Sequence, residues 1–181
     1  MIFWHLGITV LIVRYVFRDP KMDLRWILAG SLLPDVIDKP IGSIFFHDTF
    51  GTHRVFAHAL VFPVALLVIV MLVTRRGRAS RKAAMGVIIA CFIHLLLDGV
   101  WTSPEAFFWP FFGFEFPRVA GSEFGALVAD MIRSPFAWAG EVLGLGYLAY
   151  LWTRFLRTPG SLRQFRRDGR VPLSLRSDRV S

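Results

Sequence analysis

The sequence predicts an all-α integral membrane protein, a bundle of four long transmembrane helices plus one short, broken or re-entrant helix. Three observations predict it. Of the 181 residues, 55% are hydrophobic and only 19% charged, with a mean hydropathy of +0.53; soluble domains hold an apolar share of about 45–50% even with glycine counted. Several apolar runs approach the roughly 20 residues a helix needs to cross a bilayer. The basic residues behind the net charge of +8 gather in short clusters between and after those runs. A disordered chain is excluded and an ordinary soluble domain disfavoured. The single cysteine, Cys91, leaves the fold without an internal disulfide.

Met1 to Phe17 is apolar apart from His5 and Arg14. A cleavable signal peptide places its basic residues before the apolar stretch; here the order is reversed, which reads as a retained helix. Trp26 to Ile37 is too short to cross alone and contains Gly30 and Pro34. It reads as a half-helix, or as a broken crossing continued through Ile41 to Phe46, with Pro34 to Pro40 walling a cavity where irregular backbone is tolerated. Val55 to Val73, Ala83 to Trp101 and Pro135 to Phe155 are long enough to span, the last carrying one carboxylate, Glu141. Between them, Phe107 to Phe116 holds six phenylalanines and one tryptophan. That density favours an aromatic belt at the interface over a lid. Gly140, Gly144 and Gly146 read as a close-packing stripe. Residues 1–156 form the expected membrane domain, and 157–181 a basic, flexible cytoplasmic tail without the apolar period of a docking helix.

Charge sets the orientation. Arg75, Arg76, Arg78, Arg81 and Lys82 fill the link between the second and third long runs with no acid among them, and the tail holds seven arginines against Asp168 and Asp178. By the positive-inside rule both are cytoplasmic, as are Arg14, Arg18, Lys21 and Arg25. Five crossings follow, with the N-terminus outside and the C-terminus in the cytoplasm. The basic charge is then mainly a topology signal, and nucleic acid is not an expected partner. Membrane lipids are, through the basic tail.

Ionisable groups in or beside spanning helices are costly and mark functional sites by default. In this topology His5, Asp35, Asp38, His53, Arg54, His58, His94, Asp98 and Glu141 all fall at the outer level. His94 and Asp98 are four apart and share a helical face, as do Asp35 and Asp38 three apart. His53 and His58, five apart, converge only if His53 lies in a loop before its helix. Mixed imidazole and carboxylate sets suit zinc, with manganese or non-haem iron as alternatives. Eight such ligands exceed one four-coordinate ion, which points to two or three metals or to outer carboxylates orienting the histidines. We expect His5, Asp35, His53, His58, His94 and Asp98 as metal ligands. Asp38 and Glu141 are the expected general base or supporting groups, and Arg54 the group that holds an anion. His47 and Asp48 read as solvated loop residues.

The early His5, the LLPDVID stretch with Asp35 and Asp38, HRVFAH with His53, Arg54 and His58, HLLLD with His94 and Asp98, and the following WPF at Trp109 to Phe111 resemble a known family. It is that of the LexA-binding, inner membrane-associated hydrolases, also described as membrane-bound metal-dependent hydrolases. The match runs from residue 5 to about 111. It departs at Ala57 and Ala59, where the family carries Thr and Ser around the second histidine, so no hydroxyl is available there. The resemblance implies a metal-dependent hydrolase of the bacterial inner membrane and a cytoplasmic protein partner, which only the basic loop or tail could meet. The His-x-x-x-Asp pair is also distantly similar to zinc-dependent phospholipase C, which implies a lipid or other phosphoester substrate. An ion- or proton-coupled transporter is the alternative, although transporters usually carry internal repeats with midplane sites. A non-catalytic anchor leaves the clustered ligands unexplained.

Overall fold

The structure, a computed structural model, describes residues 1–172, and all regular structure among them is helical. Five helices carry the bundle: α1 (Ile2–Phe17), α2 (Leu24–Lys39), α4 (Val61–Val73), α5 (Ala79–Leu97) and α8 (Pro135–Leu151). Short helices α3 (His47–Phe50), α6 (Pro104–Phe107) and α7 (Phe124–Arg133) lie in the connections, and α9 (Pro159–Asp168) follows the bundle. The end of the expected tail, 173–181, lies outside the described residues.

Pro34 does not break α2. It sits inside a continuous helix that runs on as a π-helical turn over Pro40–Phe45. A proline withholds the N–H that would reach the carbonyl four residues back. That carbonyl, Gly30, instead accepts from Cys91 Sγ at 3.4 Å. The exchange is close because Gly30 lies directly on the Val87 backbone, where a Cβ would collide, and Gly86 packs on Ile27. Pairing Ile27 with Gly86, Gly30 with Cys91 and Ser31 with His94 makes α2 and α5 parallel. The carboxyl ends of both helices, with their acids and imidazoles, therefore meet at one end of the bundle.

α1 runs the other way and brings His5 to that same end. α8 runs alongside α1 with Gly7 and Gly144 backbone to backbone, the close approach expected of the glycine stripe; Gly140 joins it against Trp4, but Gly146 faces open space and takes no part. The core between them is Val10, Val13, Leu24, Ile27, Ala90, Ile93 and Leu151, closed by Val171 from beyond α9.

The helix bounds correct the sequence expectation. One described helix, α5, is long and apolar enough to cross a membrane, while α1 and α4 are shorter apolar helices. The run expected from Val55 becomes helical only at Val61, because the amides of Val55, Ala57 and His58 turn inward to Asp38 instead. The run expected over Ala83 to Trp101 is shifted to Ala79–Leu97. It ends there because Gly99 takes φ 64°, a left-handed conformation that stops the helix. α8 reaches Leu151 and continues as a π-helical turn over Trp152–Leu156. The bundle's exterior is apolar: α4 buries only Pro63 and exposes Val68, Ile69 and Leu72, and Phe136 and Leu143 of α8 are exposed too. Exposed apolar surface of this kind marks contact with lipid or protein.

Beyond residue 156 the described chain forms one further helix, α9. α9 docks on the bundle, with Phe165 packed against the core and with backbone carbonyls as acceptors. Leu24 N donates to Gly169 O at 2.9 Å, Arg25 to Arg166 O at 2.7 Å, and Arg14 to the carbonyls of Val171 and Pro172 at 3.1 and 2.8 Å.

Candidate metal centre

Asp38 organises the site. On the last turn of α2 it is fully buried, and its Oδ2 accepts from Val55 N at 2.8 Å, His58 N at 2.9 Å and His58 Nδ1 at 2.8 Å, while Oδ1 accepts from Ala57 N at 3.0 Å. Four donors on one carboxylate compensate the desolvation that a buried charge otherwise suffers. They also fold residues 55–58 into a fixed loop. The His58 ring donates through Nδ1 to Asp38, which leaves Nε2 as the free ligand atom.

The same logic fixes two further imidazoles. His94 Nδ1 lies 2.7 Å from the Ser31 carbonyl, which can only accept. His5 Nδ1 contacts the Met1 carbonyl. All three rings thus commit Nδ1 and aim Nε2 inward. His58 Nε2 and His94 Nε2 approach to 3.3 Å, and His5 stacks on His94 with ring centroids 4.1 Å apart.

Two carboxylates complete the group. Asp35 Oδ1 lies 3.5 Å from His58 Nε2 and 3.8 Å from His94 Nε2, and Asp98 Oδ2 lies 3.4 Å from His58 Nε2. One ligand atom from each of Asp35, His58, His94 and Asp98 falls within 4.8 Å of every other. Ligands held at about 2.0–2.2 Å from a common ion stand roughly 3 to 3.6 Å apart, and three of the pairs here, at 3.3, 3.4 and 3.5 Å, fall in that range. Asp35 Oδ1 is buried without a hydrogen-bond partner; a buried polar atom of this kind calls for an explanation. His5 Nε2 is 2.9 Å from Asp98 Oδ1, so His5 joins through the second oxygen of Asp98. The residues present fit a divalent cation.

Cations close the outside. Lys39 Nζ donates to Asp35 Oδ2 at 2.6 Å, leaving Oδ1 to the centre. Arg54 donates to the Asp98 carbonyl at 2.9 Å and approaches Asp98 Oδ2 at 3.4 Å. Both are partly exposed, unlike the fully buried His58 and His94.

Not every expected residue reaches the group. Asp38 stands behind His58 and positions it, the supporting one of the two roles expected of it. Glu141 accepts from Phe3 N at 2.8 Å; its carboxylate serves the uncapped first turn of α1 instead of the imidazoles. His53 lies in the loop beside Arg54, outside the close group. Burial, with the Arg54 cation adding to it, holds its imidazole down at about 4. His47 turns away to Ser122 Oγ at 3.1 Å. Lys39 was missed although its spacing of four from Asp35 was a usable signal. The Ser31 carbonyl had none, since any residue offers one.

Fold and site together define a class: a helical protein with an apolar exterior and an enclosed His/Asp group at one end of its bundle. The chain belongs to the YdjM inner membrane protein family, whose model matches residues 1–159. That span holds every residue of the group. No curated protein and no solved structure matches the chain.

Proposed function

We propose that the chain is a membrane-bound metal-dependent hydrolase whose divalent ion is held by Asp35, His58, His94 and Asp98. The observation that carries the reading is the pair of Nε2 atoms facing each other at 3.3 Å with both Nδ1 positions already committed. Zinc suits two imidazoles and two carboxylates best, and His5 with Asp98 Oδ1 supplies ligands for a second ion. Bound there, a divalent cation contributes Lewis-acid activation of water and of a phosphoryl oxygen.

The chain's own residues do the rest. Asp38 and the Ser31 carbonyl hold the two rings in their ligand tautomers, the outer-shell role that tunes such sites. Lys39 keeps Asp35 Oδ2 occupied. The planar fork of Arg54 matches the oxygens of a phosphoester, and as a partly exposed cation at the rim it meets an anionic substrate first. A lipid or other amphiphilic phosphoester is the substrate class we assign, because the group lies at the end of an apolar bundle where a leaflet molecule arrives laterally. α1, α4 and α8 run from the site end toward the basic end, which by the positive-inside rule is cytoplasmic. This supports a multi-pass arrangement in the bacterial inner membrane, site outward, N-terminus out and C-terminus in.

Metal analysis of the full-length protein, purified without chelator, tests the proposal. Wild type is expected to carry at least one equivalent of transition metal and the His94→Ala, Asp98→Ala double variant none. A metal-free wild type removes the hydrolase reading and leaves the imidazoles to a proton. Metal that survives the double substitution misplaces the site.

A further inference from the structure

At the end of the bundle opposite the imidazoles lies a cavity of about 670 Å³, walled by the α1–α2 link, the first turns of α2 and α5, and the end of α9. The hydrolase reading makes no use of it. Its size falls in the range of small-molecule sites, and its lining is of two kinds.

One half is cationic. Lys21, Arg78, Lys82 and Arg170 line it and make no salt bridge among the described residues. Three acids, Asp19, Asp23 and Asp168, line it as well, each already accepting a hydrogen bond. Asp23 is held by Arg25, Nε to Oδ1 at 2.9 Å and the terminal nitrogen to Oδ2 at 2.7 Å. Asp19 accepts from Lys21 N at 2.8 Å and Asp168 from Arg170 N at 3.2 Å. The other half is apolar, built from Trp26, Met85 and Ile89. Trp26 is 46% exposed, so this wall continues onto the outer surface of the bundle, and tryptophan at such a level favours the membrane interface.

We propose that this cavity binds the headgroup of an anionic phospholipid, its phosphate among the four cations and the start of its acyl chains along Trp26, Met85 and Ile89. Guanidinium and phosphate match in geometry, and basic pockets between helices on the cytoplasmic side hold anionic headgroups. A free phosphate ion would satisfy the cations and leave the apolar wall bare. A lipid uses both halves, and it reaches the cavity from the leaflet along the exposed face of Trp26.

The test titrates full-length protein in a zwitterionic detergent with short-chain phosphatidylglycerol, the matching phosphatidylcholine, and inorganic phosphate. Two double variants lose equal charge: Arg78→Gln with Lys82→Gln inside the cavity, and Arg75→Gln with Arg76→Gln in the same loop outside it. Each basic residue near an anionic surface is worth about a factor of five. The cavity pair is therefore expected to weaken phosphatidylglycerol binding by about tenfold or more, and the outer pair by less than about twofold. Lys21→Gln, on the facing wall, is expected to weaken it in the same direction and checks the result against a folding defect. Equal losses in the two double variants would mean diffuse attraction and overturn the site. Phosphate or phosphatidylcholine binding as tightly as phosphatidylglycerol would overturn the ligand. Because the cavity and the imidazoles lie at opposite ends, neither result depends on metal being found.

Discussion

His58 Nε2 and His94 Nε2 stand 3.3 Å apart across the end of the bundle, each ring pinned from behind through Nδ1. Two neutral rings so fixed direct lone pairs at one another, and only a cation or a shared proton relieves that arrangement.

Chelation is therefore expected to destabilise the protein. A ligand that binds only the folded state adds about 2.7 kcal/mol when present at about 100 times its dissociation constant. Thermal unfolding in detergent should show a lower midpoint after a strong chelator, restored by zinc. The His94→Ala, Asp98→Ala variant should not respond. A wild type indifferent to chelator would assign the facing rings to a proton.

Asp38→Asn conserves shape but sets an amide among four donors. Leaving buried N–H groups unpaired costs about 1–3 kcal/mol each, and the loop of residues 55–58 loses its anchor. We expect a stability loss of about 3 kcal/mol or more, with metal affinity lowered about 10- to 100-fold as for other outer-shell partners. Denaturant unfolding and metal titration measure the two separately. A variant with full metal affinity would detach Asp38 from the site.

Much of this site was legible because helices convert sequence spacing into direction. His94 and Asp98, and likewise Asp35 and Lys39, share faces by period alone, and the basic clusters orient each helix so that His5, Asp35, His58 and His94 gather at one level. What the spacing could not express is backbone chemistry. The start of α4 is set by amides gathered on Asp38, and the ring of His94 by the carbonyl of Ser31. Such groups are present at every residue, so no residue type announces them. Glu141 shows the converse. Its level in the bundle is as expected, but an uncapped amide at Phe3 lies nearer to it than any imidazole ligand.

Glu141→Gln keeps an oxygen for Phe3 N and should be nearly silent. Glu141→Ala removes it and should cost about 0.5–2 kcal/mol, the usual worth of a helix-start acceptor. Neither should alter metal stoichiometry. Metal lost on Glu141→Ala, with the fold retained, would return the carboxylate to the site.

The seam between α1 and α8 offers a sharper contrast. A Cβ on Gly144 would fall on the Phe3 carbonyl and one on Gly7 on the backbone of Gly144, whereas a Cβ on Gly146 meets nothing within 4 Å. Backbone cannot rotate aside as a side chain does, so Gly144→Ala must part the helices. Overpacking of this kind costs about 1–3 kcal/mol. His5 sits on the α1 turn that would be displaced, with its Nε2 2.9 Å from Asp98, so the same substitution should weaken the second ligand set while sparing Asp35, His58 and His94. Gly146→Ala changes the same helix by the same methyl group and should be neutral, or stabilising by up to about 1 kcal/mol through helix propensity. Unfolding midpoints and metal titrations of the two variants, measured side by side, decide the matter. Equal behaviour would show that α1 and α8 are not held at backbone contact.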